Sequence, residues 1–415
     1  MTAQMQPMRI LLVHHFYDSG SVSGENRAVL LERDLLARHG HEVHLLSRHS
    51  DDLRGRAAYR LISTALGVPW NLHAAALIRQ AVREHAPDLI HVHNTFPLLS
   101  PAVFAAARGI PRVLTLHNYR LFCANTFLHR DGRVCTECLD QRSARPALRH
   151  ACYRSSHLAT LPVAASIALH RGLGTWQREV DGFIALSEFQ KRLMVEAGLP
   201  AARIDIKPNF FPGEQAVLPW GVREPFVVFA GRVSGEKGVL GLVRAWRLWG
   251  ESAPLLRIIG DGPQRREAEA LATGLNIEFL GRRPAAEVHA CMAHARLVVV
   301  PSEWFEGCPL VIQEAFAVGT PVAVSAVGGL PEFVGVPASG ASFEVGNPGA
   351  MASVLQRLWV TPGLLRQLGH NARRRFEATY SEQANHQRLM AIYRSVQARS
   401  TDWPRTGQPT GRRVS

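Results

Sequence analysis

The sequence predicts an α/β protein made of two doubly wound parallel-sheet domains. Three observations lead there. A chain of 415 residues is too long for a single hydrophobic core. Short apolar runs alternate with longer helical patterns from residue 9 to residue 187. The alternation restarts at residue 226, after a stretch at 208–219 that carries Pro208, Pro212 and Pro219.

In chain order, 9–14 reads as a strand and 25–39 as a helix. Then come a strand at 42–47, a helix at 71–85, a strand at 88–93, a helix at 100–108 and a strand at 112–117. An excursion at 119–156 interrupts the series, which resumes with a strand at 181–187. The second half gives strands at 226–230, 255–260, 277–280, 297–300 and 321–325, with helices between them. Past Gly346 the pattern is helical. The expected organisation is a first domain over 1–210, a second over 220–378 and a polar, disordered tail at 400–415.

Composition narrows the class. Apolar residues make up 47% and charged residues 20%, ordinary for a globular protein. The net charge of +13 is not ordinary. Only Lys191, Lys207 and Lys237 are lysines; arginine supplies the rest. Between Arg108 and Arg178 eleven arginines face Asp131, Glu137 and Asp140. Such a basic face fits an anionic lipid or a phosphorylated acceptor, or is a solvated surface. No helix-turn-helix, zinc-finger or RNA-binding aromatic signature accompanies it, so nucleic acid is not expected. No signal core or membrane span is legible, and a cytoplasmic protein is expected, with room for a peripheral contact at the inner face of an anionic membrane.

The most informative segment is Glu306-Gly307-Cys308-Pro309-Leu310-Val311-Ile312-Gln313-Glu314. It follows the apolar run at 297–300. Pro309 suits the first position of a helix, Val311, Ile312, Ala315 and Phe316 continue it, and Gly319 is placed to end it. One carboxylate then sits before a helix and the other about a turn inside. Free N–H groups lie between them at the positive end of the helix dipole. That arrangement suits a phosphorylated sugar.

Other candidates fall at strand ends, where doubly wound sheets bind ligands. Gly231-Arg232 and Lys237-Gly238 flank a glycine turn after the strand at 226–230, and their cations could clamp a diphosphate. Gly24 ends the loop that begins at Ser19. The loop lacks the Gly-x-Gly-x-x-Gly dinucleotide pattern, which disfavours a nicotinamide enzyme. His117 can bond a sugar hydroxyl, relay a proton, or serve structure alone. His91 and His93 read as structural. Cys123, Cys135, Cys138 and Cys152 form C-x11-C-x2-C-x13-C within the excursion. Structural zinc and reduced buried thiols are both compatible with that spacing.

These motifs resemble glycosyltransferase family 4, whose two-Rossmann-domain architecture is called GT-B. The resemblance runs from Arg9 to about Arg399. It rests on Gly231-Arg232 with Lys237-Gly238, on Gly260-Asp261-Gly262-Pro263, on Glu306 through Glu314 and on Gly328-Gly329-Leu330-Pro331-Glu332. It implies a hexosyltransferase-type enzyme (EC 2.4) that moves a sugar from a nucleotide-diphosphate donor, UDP- or GDP-linked, with retention and without an essential metal or cofactor. The acceptor it implies is a saccharide or a lipid-linked species in cell-surface polysaccharide or glycolipid synthesis. By that resemblance Arg232 and Lys237 hold the diphosphate, Glu306 meets the donor sugar and Glu314 the ribose. The backbone at Cys308, Pro309 and Leu310 meets sugar and phosphate, with Gly231 and Asp261 on the donor side. His117 lies near the transferred sugar and Gly24 near diphosphate or acceptor. A helix at 379–399 crosses back to the first domain. Ser23-Gly24-Glu25 departs from the paired glycines common before the acid of that loop. A nucleotide-sugar epimerase and a non-catalytic sugar-binding protein are the competing readings.

Overall fold

The computed structural model describes residues 6–17, 23–53, 58–213 and 215–401. The first half holds β1 (Arg9–Phe16), α1 (Gly24–Arg38), β2 (Glu42–His49), α2 (Ala58–Gly67), α3 (Leu72–His85), β3 (Leu89–Val92), α4 (Ala102–Ala106) and β4 (Arg112–Thr115). The excursion carries β5 (His129–Arg130), β6 (Arg133–Val134), α5 (Glu137–Asp140) and α6 (Arg145–Arg149), followed by α7 (His157–Gly172) and α8 (Thr175–Arg178). Then come β7 (Gly182–Ala185), α9 (Glu188–Glu196) and β8 (Ile204–Ile206). The second half runs β9 (Phe226–Ala230), α10 (Val239–Trp249), β10 (Leu255–Ile259), α11 (Arg265–Leu271), β11 (Ile277–Gly281), α12 (Ala285–His294), β12 (Leu297–Val300) and α13 (Leu310–Ala317). It closes with β13 (Val322–Ser325), α14 (Leu330–Val334), β14 (Gly340–Phe343), α15 (Pro348–Trp359), α16 (Pro362–Arg375) and α17 (Glu382–Thr401).

Each half is a six-stranded sheet, ordered β2-β1-β3-β4-β7-β8 and β11-β10-β9-β12-β13-β14. All pairs within the two sheets are parallel. Helices cover both faces, which is why the central strands are continuous apolar runs such as Leu297–Val300. The strand order reverses between β1 and β3 and between β9 and β12, and the loops leaving those strands open onto the crevice where such folds bind ligands.

The structure differs from the expectation in places. β8 and β14 are extra edge strands, one on each sheet. The helix expected at 100–108 spans only Ala102–Ala106, with Ser100 held at φ 67° ahead of it. α13 begins at Leu310, with Pro309 as its cap rather than its first residue. α17 continues to Thr401, so residues 400 and 401 are helical; the rest of the expected tail lies outside the described residues, as do residues 19–22 of the first loop.

α17 lies across the first sheet. Its Leu389, Met390, Ile392, Tyr393 and Val396 share a buried cluster with Ile10, Leu12, Val113 and Ile184. Gly182 permits the contact, since a Cβ there would lie 2.5 Å from a Val396 methyl. Below it, Lys207 donates to Glu32 at 2.8 Å and to Asn385 at 3.2 Å, all three buried. This ion pair ties α1, α17 and the segment leading out of the first domain together.

Candidate active site

The loop after β9 turns on Gly238, whose φ is +70°. A Cβ there would sit 1.9 Å from the Pro301 carbonyl oxygen, so only glycine lets this loop lie on the loop after β12. The approach delivers Lys237 to Glu306, Nζ to Oε1 at 2.5 Å. The same oxygen accepts from Ser302 Oγ at 2.8 Å and from Trp304 Nε1 at 3.0 Å. Lys237 Nζ also stands 5.3 Å from the centre of the Trp304 ring. Glu306 is buried, while Arg232, on the same loop, is exposed and has no partner among the described residues.

Gly260 and Gly262 bring the loop after β10 against this one. Added Cβ atoms would fall 1.8 Å from Gly231 O and 2.3 Å from Val233 O. The Asp261 carboxylate caps its own turn, accepting from the Gly262 N–H at 2.8 Å. Glu306 and the Gly307 that follows lead into Cys308, which is buried; Gln313 donates to its sulfur at 2.8 Å and Asn209 to its carbonyl at 3.3 Å. Burial pushes the Cys308 thiol up to about 12, so it stays protonated. The N–H groups of Leu310 and Val311 open α13 without an intrahelical acceptor, while Ile312 donates to the Pro309 carbonyl at 3.2 Å.

Glu314, inside α13, accepts from Arg27 of α1 at 2.7 Å and lies 3.5 Å from His289. Burial pushes its carboxyl up, but His289 and Arg27 together outweigh this and hold it below the usual carboxylate range. Gly24 meets Leu310 from the other side, its Cβ position 3.9 Å from the leucine. A Cβ on Gly307 would lie 3.2 Å from the His117 carbonyl oxygen. The two halves therefore close on each other at Gly24, His117, Glu306 and Glu314.

His117 shares a hydrogen bond with His93, Nε2 to Nδ1 at 2.9 Å. Burial, then the neighbouring His93 and His14, keep its pKa well below the imidazole range. It is a neutral hydrogen-bonding group. Glu25 accepts from Asn118 at 3.0 Å and from Tyr17 at 3.3 Å, and burial lifts its pKa to about 7.

The structure thus brings Lys237 and Glu306 into one bonded group and sets His117, Gly24, Leu310 and Glu314 around it. Arg232, Gly231 and Asp261 share the adjacent rim without touching that group. Sequence reasoning missed Ser302, Trp304, Arg27 and His289. The first two follow the apolar run of β12 directly, so the strand-end rule could have found them. The pairing of Arg27 with Glu314 crosses from one half of the chain to the other and leaves no local signal.

Two family models match. One described as Glycosyltransferase Family 4 covers residues 22–214, and one described as Glycosyl transferases group 1 covers residues 212–375. Among curated proteins, 2-deoxystreptamine N-acetyl-D-glucosaminyltransferase of Streptomyces fradiae is 33% identical over 64% of this chain and 60% of its own length. Glycogen synthase of Mycobacterium tuberculosis is 25% identical over 91% of this chain and 92% of its own. The chain spans less than two thirds of the length of the first relatives it matches, 60% and 21% of the first two. Among solved structures, a glycosyltransferase from Rickettsia africae ESF-5 superposes with a TM-score of 0.66 at 15% identity, over 94% of this chain and 99% of that one. Anabaena HepE in complex with UDP gives 0.64 at 18% identity, over 94% and 100%. At these identities the structures speak for the fold, which is GT-B.

Proposed function

This chain belongs to glycosyltransferase family 4, with a second half of the glycosyl transferases group 1 type, and from that premise we propose that it moves a sugar from a nucleoside-diphosphate donor to a saccharide or lipid-linked acceptor with retention of configuration. The observation that carries the reading is the Lys237–Glu306 pair beside the start of α13, with Arg232 exposed on the same loop and without a partner among the described residues. When the bond from C1 to the diphosphate oxygen breaks, negative charge grows on the leaving group. Arg232, Lys237 and the first N–H groups of α13 stabilise that charge, in place of the divalent ion used in other phosphate chemistry. The acceptor oxygen bonds to C1 from the same face, and its proton passes to a diphosphate oxygen. Glu306 is held by three donors on one oxygen, an orienting role toward sugar hydroxyls, and no covalent nucleophile is assigned. Neutral His117 hydrogen-bonds the transferred sugar. Glu314 exchanges its bond to Arg27 for the ribose hydroxyls.

The acceptor side supports a lipid-linked substrate. Leu66 on α2 is 75% exposed and Leu158 on α7 is 85% exposed, with Ile62 and Leu161 also exposed beside them. These helices touch, and Arg149 and Arg154 lie just before α7. Exposed apolar side chains, with exposed arginines close by in sequence, suit the surface of an anionic bilayer at its cytoplasmic face. Among the described residues no helix is long and apolar enough to cross a membrane.

The test is a panel of nucleotide sugars scored by thermal stabilisation with no divalent metal added. A donor at a hundred times its dissociation constant should add roughly 2.7 kcal/mol. No stabilisation by any UDP-, GDP-, ADP- or TDP-sugar would remove the donor assignment. With the donor found, the anomeric configuration of the product, read by NMR coupling, decides retention.

A further inference from the structure

Four of the six cysteines come together in the excursion between β4 and β7. Cys123, Cys135, Cys138 and Cys152 line a single cavity of about 20 Å³, and none is in a disulfide. A space of that size takes about one water-sized sphere. It accommodates one ion and is too small for an iron–sulfur cluster. We infer that these four cysteines hold one zinc ion as a tetrathiolate, which fixes the excursion as a wall of the active-site crevice.

Cys123 and Cys138 sit at the edges of apolar clusters, yet N–H donors and two arginines also face the four sulfurs. Backbone N–H groups of Leu128, Asn125 and Thr126 face the Cys123 sulfur, and that of Ala147 faces Cys138. Arg130 lies beside Cys135 and Cys152, and its buried Nη1 has no acceptor. Arg171 lies beside Cys138, and its buried Nη2 has none either. Unpaired buried guanidinium N–H groups are costly. Four thiolates around Zn²⁺ carry a net charge of about −2; Arg171 would offset it, and Arg130, whose other nitrogens already pair with Asp131 and Glu137, would gain a sulfur acceptor for Nη1. Cys123 donates to Asn125 Oδ1 at 2.9 Å and so carries its proton here. Binding therefore expels the thiol protons and draws the sulfurs inward, since no three of them stand within 4.8 Å of one another here.

A second cluster competes for attention. Among the described residues, ligand atoms of Glu32, His91 and His93 already lie within 4.8 Å of each other. Lys207 donates to Glu32 at 2.8 Å and supplies the positive charge there. His91 is occupied on both ring nitrogens, by Tyr393 and Thr115. Glu32 Oε1 and His93 Nε2 have no hydrogen-bond partner there, but the buried Lys207 ammonium already neutralises the carboxylate and would repel a second cation.

The zinc site has a structural consequence. Phe127, in the loop between Cys123 and Cys135, meets Trp304 edge-on at 4.9 Å, and Trp304 donates to Glu306. Val134, next to Cys135, packs on the core of the second half. A zinc ion that staples these loops sets the acceptor-side wall over Glu306.

The test is metal analysis of the full-length protein, purified without chelator and then incubated with zinc and dialysed. The wild type should retain about one zinc per chain, and C135S/C138S should retain less than a tenth of that. Because the double variant can fail to fold, wild-type protein is also loaded with Co²⁺; the intense sulfur-to-cobalt charge-transfer absorption of a tetrathiolate is expected. Zinc well below one per chain in the wild type, iron with acid-labile sulfide in its place, a Co²⁺ spectrum without the charge-transfer bands, or full zinc retention in a folded C135S/C138S would each overturn the inference.

Discussion

At the scale of single residues, the account turns on Lys237 and the glycine that aims it. Lys237→Ala should lower kcat/KM by about 10²–10³-fold, the usual loss for one preorganised donor at a site of developing charge. Arg232→Ala should act in the same direction, measured as donor turnover or slow donor hydrolysis with unchanged circular dichroism. Gly238→Ala is a different kind of change. Its Cβ would overlap the Pro301 carbonyl, 1.9 Å away. It should destabilise the second half by about 1–3 kcal/mol or more and reduce activity by moving Lys237, seen together as a lower denaturation midpoint and weaker nucleotide binding. The carboxylates at 306 and 314 were legible in the sequence because acids astride a helix start after an apolar strand leave a local pattern. The partners that set their behaviour were not: Arg27 reaches Glu314 from the other half of the chain, 287 residues away in sequence.

At the scale of elements, the central strands were legible because they are buried on both faces and read as apolar runs. The edge strands were not. β8 is three residues with Asp205 in the middle, and β14 is Gly-Ala-Ser-Phe, so neither carries enough apolar character to stand out. Helix ends shifted by a residue or more where a cap rather than a periodicity decided them, as at Pro309. The ties of α17 to the first sheet also lie beyond local pattern. Lys207 pairs with Glu32 in a buried site that Asn385 of α17 completes. Lys207→Ala leaves the Glu32 carboxylate buried without its cation and should cost about 3–5 kcal/mol, read from the urea midpoint. A loss under ~1 kcal/mol would mean the pair is not what fastens α17.

At the scale of the whole molecule, buried histidines set the response to acid. Burial is the leading cause for each: His14 and His15 fall from 6.5 to about 3, and His93 and His386 to about 4. The unfolded chain takes up protons on these rings below about pH 6.5 while the folded chain does not, so their contribution to stability is complete above that pH and declines as the pH falls toward 4. Glu25, raised to about 7, acts oppositely: its contribution is present below pH 4.5 and is lost as the pH rises through 7. Glu303 is raised as well, but His41, His117, His129 and His170 are also lowered, and two carboxyls against eight rings leave the histidines in control. The thermal midpoint should drop steadily from pH 7 to pH 5; a flat or rising midpoint over that interval would refute this. The two-domain plan and its crevice were visible in the alternation of patterns, whereas the closure of the halves over Glu306 required the folded chain. The most direct measurement of the central claim is calorimetric titration of nucleoside diphosphates, with no divalent metal added, into the wild type, Lys237→Ala and Arg232→Ala. The account predicts one diphosphate bound per wild-type chain and affinity at least about tenfold weaker in either variant, a difference of about 1.4 kcal/mol. Equal affinity in all three proteins, or no heat with UDP, GDP, ADP or TDP, would contradict it.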